Sequence, residues 1–222
     1  MSEMLPLFPL GTVLYPGLLL PLNIFEERYR RLVRDLLAGP EPRLFGVIAI
    51  RKGRETGVAG ISGLHEVGCT ATLREVAEQE DGGFHLVTVG TQRFRLASLD
   101  DSQPYLQGEV ELLEEQVGDE AAAGLAVQAV QRGFLGYVET LASRQTVEVS
   151  VPELPDEPLL LSYLVAASMI LDLPVRQQLL AEPDAERRLG AERTLLARET
   201  TMLRSLTATP APDLRNTPYN PN

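Results

Sequence analysis

The period of the apolar pattern changes near residue 21. Before it, short apolar runs are interrupted by prolines, which predicts two short or edge-like strands, because each proline fixes φ and removes a backbone donor. After it, apolar residues recur at the helical period, and those expected on one face are Phe25, Tyr29, Leu32, Val33 and Leu36. Asn23 is the predicted N-cap, Glu26 would complete a capping box, and Gly39 ends the helix.

The pattern from residue 44 to residue 115 is typical of strands. Apolar runs or alternation predict strands at 44–50, 65–78, 84–89, 92–96 and 105–115. The polar, glycine-rich stretch at 51–63 is expected to be a loop, and Gly90 is expected to break the third strand from the fourth. Short strands with tight turns and one early helix indicate a small, mostly antiparallel barrel or sandwich.

The helical period returns near Gly118. Helices are predicted at 119–143, 159–171, 175–181 and 185–206, and the strongly apolar second one is expected to be central in its bundle. The sequence therefore predicts an α+β fold with a β-rich subdomain at 1–117 and an all-helical subdomain at 118–206. Residues 207–222 contain four prolines and few apolar residues, which favours a disordered or loosely docked tail.

Composition narrows the function classes. The net charge of -11 and pI near 4.7 argue against nucleic acid and against an anionic membrane as partners. The single cysteine, Cys69, excludes a disulfide framework. No apolar stretch is long enough for a membrane span, and no Lys or Arg precedes Arg28 as in a signal peptide. A cytoplasmic location is expected.

Few residues are of the types that carry catalysis. His65, Cys69 and His85 could meet across a hairpin, but their spacing matches no zinc site, so the expectation is a buried thiol and two half-exposed histidines. A catalytic dyad of Lys52 with Ser62 would need a desolvated lysine, but the polar loop that contains both residues is expected to be solvent-exposed. We therefore expect no catalytic residue, no metal and no cofactor.

Two arginine-rich stretches are candidate contacts for acidic peptide or RNA. The predicted first helix carries such a set, Arg28, Arg30, Arg31 and Arg34. The favoured interpretation is a solvated face balanced by Glu26, Glu27 and Asp35 at spacings of three and four. Arg93 alternates with Phe94 on a strand, and a surface position is expected for it as well.

Several motifs carry a resemblance to a known family. They are LPLFPLGTVLYPGLLLPLNIFEERYRRLV at 5–33, VGCTA at 67–71, DGG at 81–83 and GTQRF at 90–94, the last similar to G-x-x-R-F. The chain resembles, over about residues 4–206, the N-terminal substrate-binding domain of Lon ATP-dependent proteases in its standalone bacterial form. Cereblon carries a similar module.

The resemblance implies a PUA-like β-barrel followed by a helical bundle, and recognition of unfolded polypeptide or of a protein partner. The chain holds no G-x-x-x-x-G-K-[ST] phosphate loop, so the implied role is binding without ATPase or peptidase. An RNA- or small-molecule-binding module on a PUA-like barrel is the alternative. The partner's identity and the oligomeric state are left open.

The family motifs also supply candidate binding residues. Those of PL-x-IFE-x-RY are Phe25, Glu26, Arg28 and Tyr29, and Arg93 comes from the G-x-x-R-F segment. A motif at helical spacing is more often packing, so Phe25 and Tyr29 are predicted to fill the core. An exposed strand edge, or an apolar cleft between barrel and bundle, would be the physical means of binding polypeptide.

Overall fold

The computed structural model describes residues 2–53, 61–145 and 153–207. Its strands are β1 (Ser2–Leu10), β2 (Leu19–Ile24), β3 (Leu44–Gly53), β4 (Ile61–Leu64), β5 (Val67–Glu78), β6 (Phe84–Asp100) and β7 (Gln107–Leu112). The segment expected as a loop at 51–63 is strand at both ends, where β3 and β4 pair antiparallel. The predicted tail lies outside the described residues from position 208 onward.

The strands close into a small barrel. The hydrogen-bonded order runs β1-β7-β6-β5-β3, and β3 pairs back with β1, so five strands form a closed ring. The β1–β3 pairing is parallel and the other pairings are antiparallel. β2 lies outside the ring and pairs with the first part of β6. The α+β barrel fold is confirmed.

The first helix begins later than predicted. Helix α1 (Glu27–Ala38) has Glu26 at the N-cap with no side-chain capping bond, whereas Asn23 belongs to β2 and pairs with His85. The capping-box prediction is wrong because the β2–β6 ladder keeps the chain extended through Ile24. Tyr29, Leu32 and Val33 are buried as expected, but Phe25 is exposed, so its predicted place in the core is also wrong.

β6 runs through Gly90 without a break. It is one strand of 17 residues, and the pairing with β5 shifts register beside this glycine. A Cβ at position 90 would overlap the carbonyl oxygen of Tyr15. Gly90 therefore marks a close approach of the β1–β2 connection to the sheet, and the predicted strand break is absent for that reason.

The four predicted helices of the second half are confirmed. They are α2 (Glu120–Gln145), α3 (Pro158–Ser168), α4 (Leu173–Ala181) and α5 (Ala185–Thr207). α3 contacts the other three, as its apolar sequence led us to expect, although Leu160 remains exposed. Their core includes Tyr15 and Val67 of the barrel, so the two halves share buried surface. Within the described ranges, no helix combines the length and apolar character needed to span a bilayer.

Candidate functional site

Phe25 lies exposed in the connection between β2 and α1. Its side chain is 59% accessible although the residue is large and apolar. On one side is an apolar depression of about 100 Å³ lined by residues 8–10, 22–26 and 29. On the other is a more polar depression of about 510 Å³ that reaches the β5–β6 turn. We call residues 8–10, 22–26 and 29 the Phe25 surface.

The floor of the Phe25 surface is held by ring contacts. The Tyr29 ring stacks on Phe8 with centroids 4.1 Å apart. The Arg28 guanidinium lies over the Tyr29 ring at 4.4 Å and pairs with Glu26 at 3.0 Å. Three of the predicted site residues, Glu26, Arg28 and Tyr29, therefore support the surface, and Phe25 is the one that projects from it.

β2 presents one edge without a strand partner among the described residues. In an antiparallel ladder alternate residues bond to the same neighbour. The Gly90 N–H donates to the Leu18 carbonyl at 2.9 Å, so even-numbered residues bond to β6 and odd-numbered ones face away. The outward residues, all exposed, are Leu19, Pro21 and Asn23. The sequence signal was Pro21, since a strand proline belongs at an edge.

The arginines of α1 pair with carboxylates as predicted, but the face is solvated only in part, because the side chains of Arg28 and Arg30 are only 11% and 19% exposed. Arg31 pairs with Asp35 at 3.0 Å and Arg34 pairs with Glu27 at 3.1 Å. Arg30 approaches Asp81 of the β5–β6 turn at 3.7 Å. A balanced, screened face of this kind offers little net attraction to phosphate.

The cysteine and the histidines do not form one site. Cys69 is fully buried, and burial raises the pKa of its thiol. His85 pairs with Ala77, eight residues along β5 from Cys69, a separation of roughly 25 Å at strand rise. The idea that His85 reaches Cys69 across the hairpin is therefore wrong.

His65 is half-buried, and desolvation, followed by the charge of Arg51, lowers its pKa. The described residues hold no group of three His, Cys, Asp or Glu that could bind a metal ion. The side chains of Lys52 and Ser62 lie outside the described part of the chain.

Arg93 is enclosed between barrel and helices, so its predicted surface position is wrong. Its Nε pairs with Glu115 at 2.8 Å, and its Nη1 donates to the carbonyls of Leu180 and Glu182, each at 3.2 Å. Alternation along β6 did not reveal this, because the face that would otherwise meet water is covered by α4 and its C-terminal end.

A second buried arginine completes the junction. Arg188 of α5 lies over the Tyr163 ring at 4.1 Å and donates to Ser162 Oγ at 2.7 Å. Glu115 accepts from the Tyr163 hydroxyl at 2.6 Å. Glu192, one turn further on α5, is also buried, and desolvation raises its pKa well above the usual range. This network fixes the helices on the barrel and does not reach the surface at Arg93.

Comparison with known proteins agrees with the barrel and the helices. The family model of the ATP-dependent protease La (LON) substrate-binding domain matches residues 4–198. The chain belongs to the Lon substrate-binding domain family. Lon protease 2 of Syntrophobacter fumaroxidans is 27% identical over 187 residues, which are 84% of this chain and 23% of that relative. Lon protease of Escherichia coli K12 is 26% identical, over 83% of this chain and 23% of its own length.

Two solved structures have the same architecture as this Lon-family chain. A Lon N-terminal domain protein from Xanthomonas campestris is 29% identical with a TM-score of 0.60, covering 88% of this chain and 98% of that one. The N-terminal domain of Mycobacterium avium complex Lon protease, at 16% identity and a TM-score of 0.62, covers 90% and 98% and shares the fold. The chain thus spans about a quarter of the length of the curated Lon relatives it matches.

Proposed function

We propose that this chain binds extended, unfolded polypeptide at the Phe25 surface and at the adjoining edge of β2, and that it does so without catalysis. The observation that carries the proposal is Phe25 itself, a large apolar side chain 59% exposed beside a strand edge with outward backbone groups. Main-chain hydrogen bonds to such an edge recognise any sequence, and a nearby apolar depression adds a preference for one side chain.

The size of the apolar depression supports a polypeptide rather than a small molecule. At about 100 Å³ it has room for a single side chain, whereas pockets for drug-sized ligands are ~300–1,000 Å³ and mostly apolar. The depression of about 510 Å³ on the other side of Phe25 reaches that size, but its lining is mainly polar. The ion-paired arginines of α1 and the net charge of -11 give RNA no favoured surface.

Cys69, the single cysteine, is a free buried thiol, which agrees with a role in a reducing compartment such as the cytoplasm.

Phe25→Ser tests the proposal against a matched control. The control is Leu125→Ser, because Leu125 on α2 is 71% exposed, so both changes remove an exposed apolar side chain. Binding of a fluorescent, reduced and carboxymethylated globular protein is measured by anisotropy. Phe25→Ser should weaken binding by roughly tenfold, as expected for an aromatic contact at the centre of an interface, and Leu125→Ser should not. Equal binding by both variants and wild type would refute the site.

Asn23→Pro tests the strand edge separately. Asn23 directs its N–H away from β6, so proline at this position leaves the β2–β6 ladder intact and removes one outward donor. We expect weaker binding with an unchanged free energy of unfolding.

Hydrolysis of casein or ATP by the purified chain above a mutant background would contradict the absence of catalysis.

A further inference from the structure

The outer side of α3 is apolar although it faces away from the core. Leu160 is 45% exposed, Leu164 is half-buried one turn later, and Ile170 just beyond the helix end is 72% exposed. We call these three residues the α3 stripe. The opposite side of the helix is already buried against α2 and α5, so α3 has apolar residues on both sides, interrupted by Ser162 and Ser168. Helices of that kind are normally covered on every side, which indicates a missing partner for the stripe.

The charges around the α3 stripe are of one sign. Along the chain, residues 153–175 contain four carboxylates and no Lys or Arg, and the arginine that follows, Arg176, is half-buried beside Tyr15. At the start of the helix, Glu157 accepts from the backbone N–H groups of Leu159 and Leu160, beside the exposed Asp156. Past its end stands the exposed Asp172, which makes no side-chain cap bond to α4. The stripe is therefore an uncharged surface with an acidic group at each end.

This arrangement decides between two possible occupants. A second copy packed about a two-fold axis would place acidic ends against acidic ends, whether the helices ran parallel or antiparallel, in a chain of net charge -11. A polypeptide with an apolar run between basic residues meets the stripe with its apolar side chains and both ends with opposite charge. From Leu160 to Ile170 is about 15 Å at helical rise, the span of roughly five extended residues.

We propose that the α3 stripe binds polypeptide segments in which about five apolar residues are flanked on both sides by Lys or Arg. The proposal rests on the proposed function, polypeptide binding, and deepens it by naming a sequence class and a second contact surface. Apolar burial supplies the attraction, and the terminal charges select among apolar segments.

The test uses three labelled peptides and the whole chain. The first has five aliphatic residues between lysine pairs, the second has the same core between glutamate pairs, and the third has lysine pairs around a Gly/Ser core. Anisotropy at low salt should show the first binding roughly tenfold tighter than the second, with the difference shrinking as salt screens the ends. The third should bind weakly, because it lacks apolar side chains.

Variants assign the binding to the stripe. Ile170→Ser should weaken the first peptide by roughly tenfold, the loss of one buried aliphatic side chain. Asp172→Asn should reduce the ratio between the affinities for the lysine-flanked and the glutamate-flanked peptide, because it removes one acidic group and leaves the apolar side chain of Ile170 in place. The control is again Leu125→Ser, with the same degree of exposure on α2. Circular dichroism of each variant shows that it is folded.

Three outcomes would overturn the proposal. They are equal affinity for lysine- and glutamate-flanked peptides, no effect of Ile170→Ser, or a dimer in sedimentation that Ile170→Ser dissociates, which would make a second copy the occupant. If unfolded protein still binds in a Phe25-dependent manner, the proposed function survives and the α3 stripe alone is refuted. If no unfolded protein binds at all, the proposed function falls as well.

Discussion

Arg93 shows how far a local pattern can mislead about a single residue. It alternates with Phe94 on a strand, and such alternation normally separates a face packed on the core from a solvent-exposed face. Here the second face is covered by the C-terminal end of α4, whose Leu180 and Glu182 carbonyls receive the guanidinium. No feature of the strand itself reports that a helix some 90 residues later will cover it. Phe25 is the reverse case. It is apolar and stands at helical spacing in the sequence, yet it is exposed, because β2 extends to Ile24 and the helix begins only at Glu27.

Arg93→Ala should cost roughly 3–5 kcal/mol in the free energy of unfolding, the usual result of breaking one side of a buried ion pair. The change removes the cation nearest to Glu115, which keeps only its hydrogen bond from Tyr163 and a longer approach to Arg188, and it removes the donor to three backbone carbonyls. The matched control is Arg95→Ala on the same strand, whose pairing with Glu111 at 3.7 Å is exposed and should be worth no more than about 1 kcal/mol. Urea denaturation measures both. Similar losses for the two variants would show that the junction does not depend on Arg93.

At the scale of elements, periodicity predicted the helices well and the strand limits less well. Helices α2 to α5 begin and end within a few residues of the predicted positions, because long apolar faces leave little ambiguity. β6 was predicted as two strands. A glycine in a strand pattern can mark either a break or a place where another part of the backbone approaches closely, and the sequence alone does not distinguish the two. The approach comes from the turn near Gly17, whose N–H donates to the Gly90 carbonyl at 2.8 Å. The edge of β2 that has no strand partner in the described part of the chain was foreseeable from Pro21, but its position beside Phe25 was not.

Two glycine-to-alanine changes should have opposite effects on the free energy of unfolding, because another part of the backbone closely approaches Gly90 but not Gly124. Gly90→Ala should lower the free energy of unfolding by more than about 2 kcal/mol, because the new methyl group meets the rigid Tyr15 carbonyl oxygen. Gly124→Ala, at a helical position of α2 with open space around it, should raise it by about 0.5–1 kcal/mol through helix propensity. Thermal denaturation of both variants gives the comparison. Stabilisation by Gly90→Ala would contradict the close approach.

The whole molecule depends on a junction that the sequence did not reveal. Composition shifts near residue 118, and that shift predicted a division into 1–117 and 118–206. The structure shows how closely the two parts are joined. Tyr15 of the barrel donates its hydroxyl to the Arg176 carbonyl at 2.8 Å, and Gln177 donates to the Val67 carbonyl at 2.7 Å. Together with Arg93, these bonds link the barrel to α4 at three places, so a shift in composition need not mark an independent folding unit.

A fragment of residues 1–117 should therefore fail to fold cooperatively. It keeps every strand, but it would expose Tyr15 and Val67, which are buried against the helices, and leave Arg93 without its helix-side acceptors. We expect a poorly dispersed amide NMR spectrum and a broad urea transition, against sharp resonances and one steep transition for the whole chain. A fragment that unfolds steeply with native-like dispersion would establish the division at 117 as a true domain boundary. The bonds through Tyr15, Arg93 and Gln177 would then only orient the helices, and the α3 stripe and the Phe25 surface could move relative to one another.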